Sequence, residues 1–364
     1  MTRSCRTSRR SRTQCTWVIS FCMLFLAGGA DALCADYGKN ERLVSYCLLS
    51  NVAGKVVDAN LVKAINSQLQ RQGYASGLGV ELGASEAKAT HSTNFNVTPL
   101  LTYSDNINGG NSPDDLVLGD LTFKGDEQFY RKEGMIGGLG IGGSGRFLYG
   151  VGRYLEYGMS ASYAYSPRHD IDVTTTSANA CSINHFSNWW SIDLCADLTR
   201  TRRDLTETNV KNISLSTSKI FDDEFSRYSE VTVGFNRYLT NDYKQNQVLV
   251  SYDTIHPNAM FTSLGLTVGE QLEDQLATRF AITADITTLT ALNKPLTIST
   301  GFSYADGGKI LGFDRNERTY SINLSYPVWR KVNVFFGYRN TNSTIDYFDV
   351  KTPTFGVRLT PITF

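Results

Sequence analysis

TYSINLSYPV, residues 319–328, alternates large apolar side chains with small polar ones. The large members are Tyr320, Ile322, Leu324 and Tyr326. Successive side chains of a β-strand point to opposite faces, so this period of two predicts a strand with one apolar and one polar face. A face of Ser and Asn has too little bulk to fill a second hydrophobic layer, which favours contact with water.

The same alternation recurs through most of the chain. It is sustained in PLTISTGFSYA (295–305) and VNVFFGYRN (332–340). Further strand-length segments are Ala75–Leu82, Thr93–Tyr103, Leu116–Phe123, Met135–Phe147, Tyr154–Tyr165, Phe186–Ala196, Asn212–Ile220, Tyr228–Leu239, Gln247–Asp253, Met260–Val268, Thr278–Thr288 and 351–364. Turn signals such as NGGNSPDD and ADGGK separate them. Even spacing of this kind predicts an all-β protein.

A membrane barrel explains the alternation better than a soluble sandwich or propeller. Barrel strands alternate apolar-out and polar-in, with aromatic residues near both interfaces. Residues 74–364, at about 20 residues per strand with its connection, give roughly 14 strands, an even number as bacterial barrels require. The predicted fold is a transmembrane antiparallel up-and-down β-barrel of about 14 strands with a short N-terminal helical segment. One of the marked segments is then surplus, either Leu116–Phe123 or the glycine-rich GMIGGLGIGGSGRF (134–147).

The N-terminus has the features of an export signal. Five arginines and no acidic residue precede the apolar run Trp17–Ala27, and a small-residue site, residues 30–32, follows. The run is shorter than the roughly 20 residues of a membrane-spanning helix, so we expect residues 1–32 to be a cleaved signal peptide rather than an anchor. Leu33 before Cys34 argues against a lipoprotein. The remaining 30 basic and 34 acidic residues give no reason to expect nucleic acid.

Residues 33–73 are predicted to form a periplasmic or plug segment. Within Ala59–Gln72, the apolar residues Leu61, Ile65 and Leu69 fall four residues apart. Asp58 can cap the start and Gly73 ends the pattern, so one helix is expected. This helix plugs the lumen or lies in the periplasm.

Four cysteines remain after removal of the signal, as two local couples. The disulfide candidates are Cys34 with Cys47 and Cys181 with Cys195. An even number of cysteines in an exported chain indicates disulfides. Crossed pairs, which would tie the N-terminus to the middle of the chain, stay open as the alternative.

No pattern in the chain predicts catalytic, metal-binding or cofactor-binding residues. The histidines lack ligand spacing and Cys-x-x-Cys is absent. The glycine run lacks the Lys-Ser/Thr of a phosphate loop. His185 lies near Ser182 and Ser187 without an acidic orienting residue, so we interpret it as structural. The sequence predicts neither an enzyme nor a cofactor.

The basic cluster Arg200, Arg202 and Arg203 has two interpretations. Arg200 and Arg202 alternate onto one face, where they could line a pore that favours anions. Alternatively, the cluster lies in a solvated loop or strand end. The other arginines in or beside strands should point inward or lie near an interface, because each costs about 2–4 kcal/mol on the lipid face at the midplane.

The final strand resembles the assembly signal that the barrel-insertion machinery of Gram-negative bacteria reads. It ends in Phe364, and Ile362 keeps the apolar alternation counted back from the end. Earlier apolar residues of the strand, such as Val357, are one residue out of phase. A bulge at Pro361 would correct the register, since proline cannot donate to the ladder. The resemblance implies the cell outer membrane as location, with membrane lipid and the insertion machinery as partners.

Two stretches resemble the barrel domain of the surface lipoprotein assembly modifier family. They are TPLLTYSDNINGGNS (98–112) and the closing hairpin, residues 336–364. The first makes Asp105, Asn106 and Asn108 candidates for a pore or functional loop. The family's N-terminal tetratricopeptide domain has no counterpart here, because residues 33–73 cannot hold three repeats of about 34 residues. Either another protein supplies the client-binding part, or only the barrel is shared.

Three hypotheses for function follow. The first is a translocation or assembly channel for a lipoprotein client. The second is a passive diffusion porin for small polar solutes, with strand arginines and loop acids setting ion preference. The third is a soluble exported β-protein for adhesion or binding, which would leave the cell on osmotic shock without detergent.

Overall fold

The computed structural model describes residues 40, 42–47, 80–81, 90–222, 228–256, 260–292, 294–329, 332–359 and 362–363. The strands are β1 (Thr90–Ser104), β2 (Leu116–Leu118), β3 (Leu121–Phe123), β4 (Gly134–Gly150), β5 (Arg153–Ser166), β6 (Ile171–Phe186), β7 (Trp190–Arg202), β8 (Glu207–Phe221), β9 (Tyr228–Leu239), β10 (Lys244–Ile255), β11 (Phe261–Gly269), β12 (Ala277–Leu289), β13 (Pro295–Ile310), β14 (Phe313–Trp329), β15 (Val332–Ser343), β16 (Val350–Leu359) and β17 (Ile362–Thr363). Helix α1 covers residues 42–47. Short 3₁₀ turns occur at Glu127–Phe129 and Asp346–Phe348.

Strand pairing closes the sheet into a barrel. Each strand from β4 to β16 pairs antiparallel with its neighbour in sequence, and β1 pairs with β4 on one side and with β16 on the other. β17 continues β16 along β1. The predicted up-and-down barrel of 14 strands is therefore confirmed. Among the described residues, no helix is long and apolar enough to cross a membrane.

The structure decides which segment is surplus and corrects two other segment predictions. Of the two candidates for the surplus segment, Leu116–Phe123 forms a two-stranded hairpin, β2 and β3, outside the barrel, and the glycine-rich run is barrel strand β4. Residues 171–185, which lie outside every predicted strand segment, belong to strand β6. Its small Thr, Ser and Ala side chains hide the alternation that bulkier residues reveal elsewhere. Of Ala75–Leu82 only Val80 and Glu81 are described, and they are helical; helix Ala59–Gln72 and the signal peptide lie outside the described residues.

The two faces of the wall differ as the alternation predicts. On β8, Ile213 and Leu215 are exposed on the outer face, while the neighbouring inner positions are Asn212 and serines 214, 216 and 218. On β7, the outer face is apolar from Trp190 to Leu198. Eight residue steps span about 27 Å along a strand. A tilt of about 40° reduces this to a height of about 20 Å, close to the roughly 25 Å apolar band of membrane barrels.

The strand arginines lie outside the lipid-facing centre of this band. Three strand arginines, Arg146, Arg339 and Arg358, share the inner face with the serines. Arg279 lies in a β-bulge near the loop-rim end of β12. Arg153 and Arg237 point outward but lie near strand ends. The expectation that arginines avoid the lipid midplane is confirmed for these described residues; Arg330 is outside the described residues.

The closing strand contains one extra residue. Leu100 pairs with Arg358, and Val97 pairs with Ile362. Three steps along β1 thus face four steps along the closing strand, so a bulge lies between the two pairs. This is the interval in which a bulge at Pro361 was predicted. Pro361 and Phe364 lie outside the described residues, and the assembly signal stays a prediction.

The two ends of the barrel are unlike. The longest connection, residues 105–133, lies at the end opposite to the chain termini. This end is called the loop rim below, and the other the terminal rim. In bacterial barrels the longer loops face the cell exterior and the short turns face the periplasm.

Candidate functional site

Helix α1 lies against the inner wall at the terminal rim. Asn40 caps it, since its side-chain oxygen accepts a hydrogen bond from the backbone nitrogen of Leu43 at 3.0 Å. Leu43, Val44 and Cys47 are buried against residues of four adjacent strands. Those wall residues are Ile220, Tyr228, Ile255 and Phe261. An otherwise polar lumen therefore carries an apolar seat for this helix.

A charge cluster fixes the start of the helix. The Arg42 guanidinium lies 2.5 Å from the Asp193 carboxylate and 3.0 Å from that of Glu230, and it donates to the Ser191 hydroxyl at 2.8 Å. The side-chain amide of Asn40 donates to Glu230 at 2.6 Å and to Asp253 at 2.8 Å. Strands β7, β9 and β10 are thus all tied to the same turn of backbone.

The electrostatics favour a permanently charged Arg42. Burial lowers the pKa of its guanidinium, but the carboxylates of Glu230 and Asp193 oppose this, and the net pKa is raised. The Glu230 side chain is only 1% exposed. A buried carboxylate without its cation is costly, because breaking a buried ion pair typically destabilises by about 3–5 kcal/mol. Arg42 therefore holds α1 and neutralises the wall at once.

Aromatic residues cover the other side of the helix. The Tyr46 ring meets Trp189 and Tyr228 edge-on at 4.8 Å and 5.4 Å between centroids, and its hydroxyl donates to Asp222 at 3.0 Å. Trp189 lies in the turn between β6 and β7. These contacts make α1 part of the terminal rim.

A second N-terminal contact explains His185. Glu81 accepts from the backbone nitrogen of Trp189 at 2.6 Å, and its carboxylate lies 2.9 Å from His185 Nε2. His185 and Ser182 lie on opposite faces of β6, so they do not form a catalytic pair. These contacts support the interpretation of His185 as a structural residue.

The part of the inner wall that α1 covers is acidic. Glu230, Asp253, Ser263 and Asp285 lie directly opposite one another on β9 to β12. Asp193 lies nearby on β7, since Arg42 bridges it to Glu230. This acidic row is the feature that could give the lumen an ionic preference.

The predicted cysteine couple is present on the inner wall. Cys181 on β6 and Cys195 on β7 are directly opposite and form a disulfide. Cys34 is outside the described residues, so the couple with Cys47 stays a prediction.

The basic cluster does not line the pore. Arg200 and Arg202 follow Leu194 and Leu198 on the outer face of β7, at the loop rim, and Arg203 begins the following turn. Arg200 is paired with Glu207 at 2.8 Å in an exposed position. This placement agrees with the interpretation as a solvated strand end and corrects the alternative of an anion-selective lining.

The three loop candidates organise the long connection at the loop rim. Asn106 exchanges hydrogen bonds with the backbone of Gly110 at 2.8 and 2.9 Å, and the buried Asn108 binds the backbone at Tyr130 and Lys132, both at 2.8 Å. Asp105 accepts from Thr352 on β16 at 2.5 Å. The backbone of this connection also bonds across the rim.

Two hydrogen bonds pin residues 105–133 over the opening. Leu205, in the turn between β7 and β8, donates to the carbonyl of Asn108 at 2.9 Å. Tyr347, between β15 and β16, donates to the carbonyl of Ser112 at 3.4 Å. Because these turns lie on different parts of the rim, the connection extends inward across the lumen entrance.

Comparison with known proteins defines no family. No protein-family model matches the sequence, and no curated protein matches it. Among solved structures, the chain is similar to the β domain of the Bordetella autotransporter BrkA, with 9% identity, coverage of 75% of this chain and 99% of that chain, and a TM-score of 0.29. It is similar to Pseudomonas aeruginosa OprD, with 8% identity, coverage of 76% and 96%, and a TM-score of 0.39. A mutant of the Rh. blastica porin gives 9% identity, coverage of 75% and 100%, and a TM-score of 0.37. All three scores lie below 0.5, so the fold assignment depends on this chain's own strand pairing.

Proposed function

We propose that this protein is a channel of the bacterial outer membrane whose periplasmic mouth is narrowed by helix α1. The supporting observation is a closed wall with an apolar outer face, a polar inner face and an ion-paired helix seated inside one rim. A closed barrel satisfies all backbone hydrogen bonds in lipid. A polar lumen provides the path for small polar solutes, and the protein has no catalytic role.

Displacement of α1 determines the state of the channel. With α1 in place, Arg42 and Asn40 occupy the carboxylates of Asp193, Glu230 and Asp253. When α1 leaves, these carboxylates face lumen water, and acidic side chains lining a pore favour cations. The open channel is therefore wider and cation-selective.

The test begins with membrane location. The full chain is expressed in a Gram-negative host, membranes are separated, and the detergent extract is run on a gel with and without boiling. We expect recovery in the outer membrane and faster migration of the unboiled form. Recovery in the soluble periplasm would contradict the proposal and favour the exported binding protein instead.

Planar-bilayer recording then tests the plug. Arg42→Ala should increase single-channel conductance and shift the reversal potential towards cation selectivity. Arg339→Ala is the matched control, because it removes another inner-face arginine that makes no contact with α1 in the described part of the chain. Equal conductance of both variants and the wild type would refute a plug held by Arg42.

The finer role as an assembly channel for surface lipoproteins is supported only by the resemblance of two sequence stretches. Its test is client dependence. Deletion of the protein would leave a lipoprotein client in the periplasm, with unaltered uptake of small solutes. The porin role requires the reverse pattern.

A further inference from the structure

The outer face carries a basic patch at the loop rim, on β7 to β10. Arg200, Lys211 and Lys244 are exposed there and line a groove of ≈ 810 Å³. Arg200 is engaged by Glu207. Within the described residues, neither Lys211 nor Lys244 has a carboxylate partner. Two ammonium groups are therefore available to an anion from outside the chain.

The two lysines are arranged as a pair. Both lie directly opposite Leu239, Lys211 from β8 and Lys244 from β10. Adjacent strands are about 4.8 Å apart, so the two backbones are separated by about 10 Å. Flexible lysine stems reach a common anion from that distance, above the Leu239 side chain.

The patch lies at the edge of the apolar band. On β8, Lys211 and Lys219 face outward with Ile213 and Leu215 between them. Lys219 marks the terminal rim, where its ammonium lies 5.3 Å from the centre of the Trp190 ring. Lys and Trp at a membrane boundary place their polar ends at headgroup level. Lys211 marks the corresponding level at the loop rim.

An apolar groove continues from the basic one. It has a volume of ≈ 440 Å³, is lined by Phe95, Met159 and Ala178 among others, and shares Thr176 and Leu198 with the basic groove. The groove is deepest where β4 and β6 carry the small residues Gly143 and Ala178. The side chain of Met159, between them on β5, projects outward and is 70% exposed. The two grooves form one continuous amphipathic groove on the outer wall.

The strand register shows how far this amphipathic groove extends from the rim towards the middle of the membrane. One row of directly opposed residues passes from the rim to the middle of the wall: Lys244, Leu239, Lys211, Leu198, Ala178, Met159, Gly143 and Phe95. The five strand steps from Lys211 to Phe95 cover about 24 Å, and a tilt of about 40° makes this a descent of about 15 Å. That is half the roughly 30 Å hydrocarbon core of a bilayer, the depth of one leaflet.

We propose that this amphipathic groove binds a phosphate-bearing lipid of the outer leaflet, with its phosphate between Lys211 and Lys244 and an acyl chain along Ala178 and Gly143. The proposal rests on the outer-membrane placement argued above. Charge complementarity selects an anionic headgroup, and the leaflet-deep apolar continuation selects a lipid over a free anion. Arg200 supplies a third cation when the lipid displaces Glu207.

The test uses the refolded full chain in neutral detergent, with lipid A as the probe and native mass spectrometry as the readout. Each lysine near an anionic surface contributes about fivefold in affinity, so Lys211→Gln/Lys244→Gln should weaken binding about 25-fold. The control is Lys309→Gln/Lys351→Gln, two exposed lysines at the same rim on other strands, of which Lys309 is ion-paired with Asp274 at 2.9 Å. It should bind as the wild type does.

Three further outcomes decide the proposal. Ala178→Phe should weaken binding of lipid A while leaving both lysines intact, because it fills the apolar groove. Inorganic phosphate should not compete at millimolar concentration; full competition would show a free-anion site and overturn the lipid assignment. Equal weakening by the two lysine pairs would show non-specific attraction and also overturn it. Heat-modifiable migration and conductance are measured on every variant, so loss of the lipid site alone is distinguishable from failure of the channel proposal.

Discussion

Leu215→Arg should destabilise the barrel far more than Ser214→Arg, although the two positions are adjacent. Leu215 is 53% exposed on the outer face of β8 and lies opposite Leu194 and Phe235. It is midway between Lys211 and Lys219, and thus near the centre of the apolar band. Ser214 faces the lumen.

The expected magnitude follows from depth. An arginine on the lipid face at the midplane costs about 2–4 kcal/mol, whereas a lumen position costs little. At about 1.4 kcal/mol per tenfold change, Leu215→Arg should lower the ratio of folded to unfolded protein about 30- to 1,000-fold.

The assay is urea unfolding of protein refolded into phospholipid vesicles, followed by migration of the unboiled form on gels. Leu215→Ala serves as the baseline, since it removes the same side chain without adding charge. If Ser214→Arg unfolds at the same urea concentration as Leu215→Arg, the assignment of faces is wrong.

Three other changes test separate features. Replacement of Cys181 and Cys195 by serine opens a loop of 14 residues and should lower the free energy of unfolding by up to about 3 kcal/mol, with the heat-modifiable form retained; an unchanged urea midpoint would contradict this. Gly138→Ala should impair refolding because its Cβ would overlap the backbone of Tyr163, whereas Gly143→Ala should refold normally because the nearest atoms are 4.0 Å away; equal refolding yields would contradict the close approach. Glu230→Gln should raise bilayer conductance less than Arg42→Ala, because Arg42 keeps its contact with Asp193; an unchanged conductance would show that Glu230 does not hold the plug.

The barrel could be predicted from the sequence because its information is local. Alternation on a strand such as β14 fixes which side chains share a face, and turn residues mark where strands end. Prediction failed where the alternation lacked bulk, as in β6. The pattern also could not decide between Leu116–Phe123 and the glycine-rich run as the surplus segment, because a short hairpin satisfies the same alternation without joining the wall.

The site is harder to predict because its residues are far apart in sequence. Arg42 meets Glu230 and Asp193 only after the barrel closes, and helix 42–47 is too short to show a helical period. Alternation places Glu230 and Asp253 on the inner face, which is a usable signal. It does not reveal that the two lie in one register row, since this depends on every turn between them.

Release of α1 requires a change at the carboxylates rather than at the arginine. Because the pKa of Arg42 is raised, its charge stabilises the seated helix fully at every pH below the ordinary arginine range. This stabilisation would be lost only above that range. No physiological alkalinity therefore opens the mouth. A competing cation can occupy the acidic row, and this would remove the ion pairs that hold Arg42 in place. In the channel that we propose, cationic solutes in the lumen would therefore compete with Arg42 for these carboxylates and release α1.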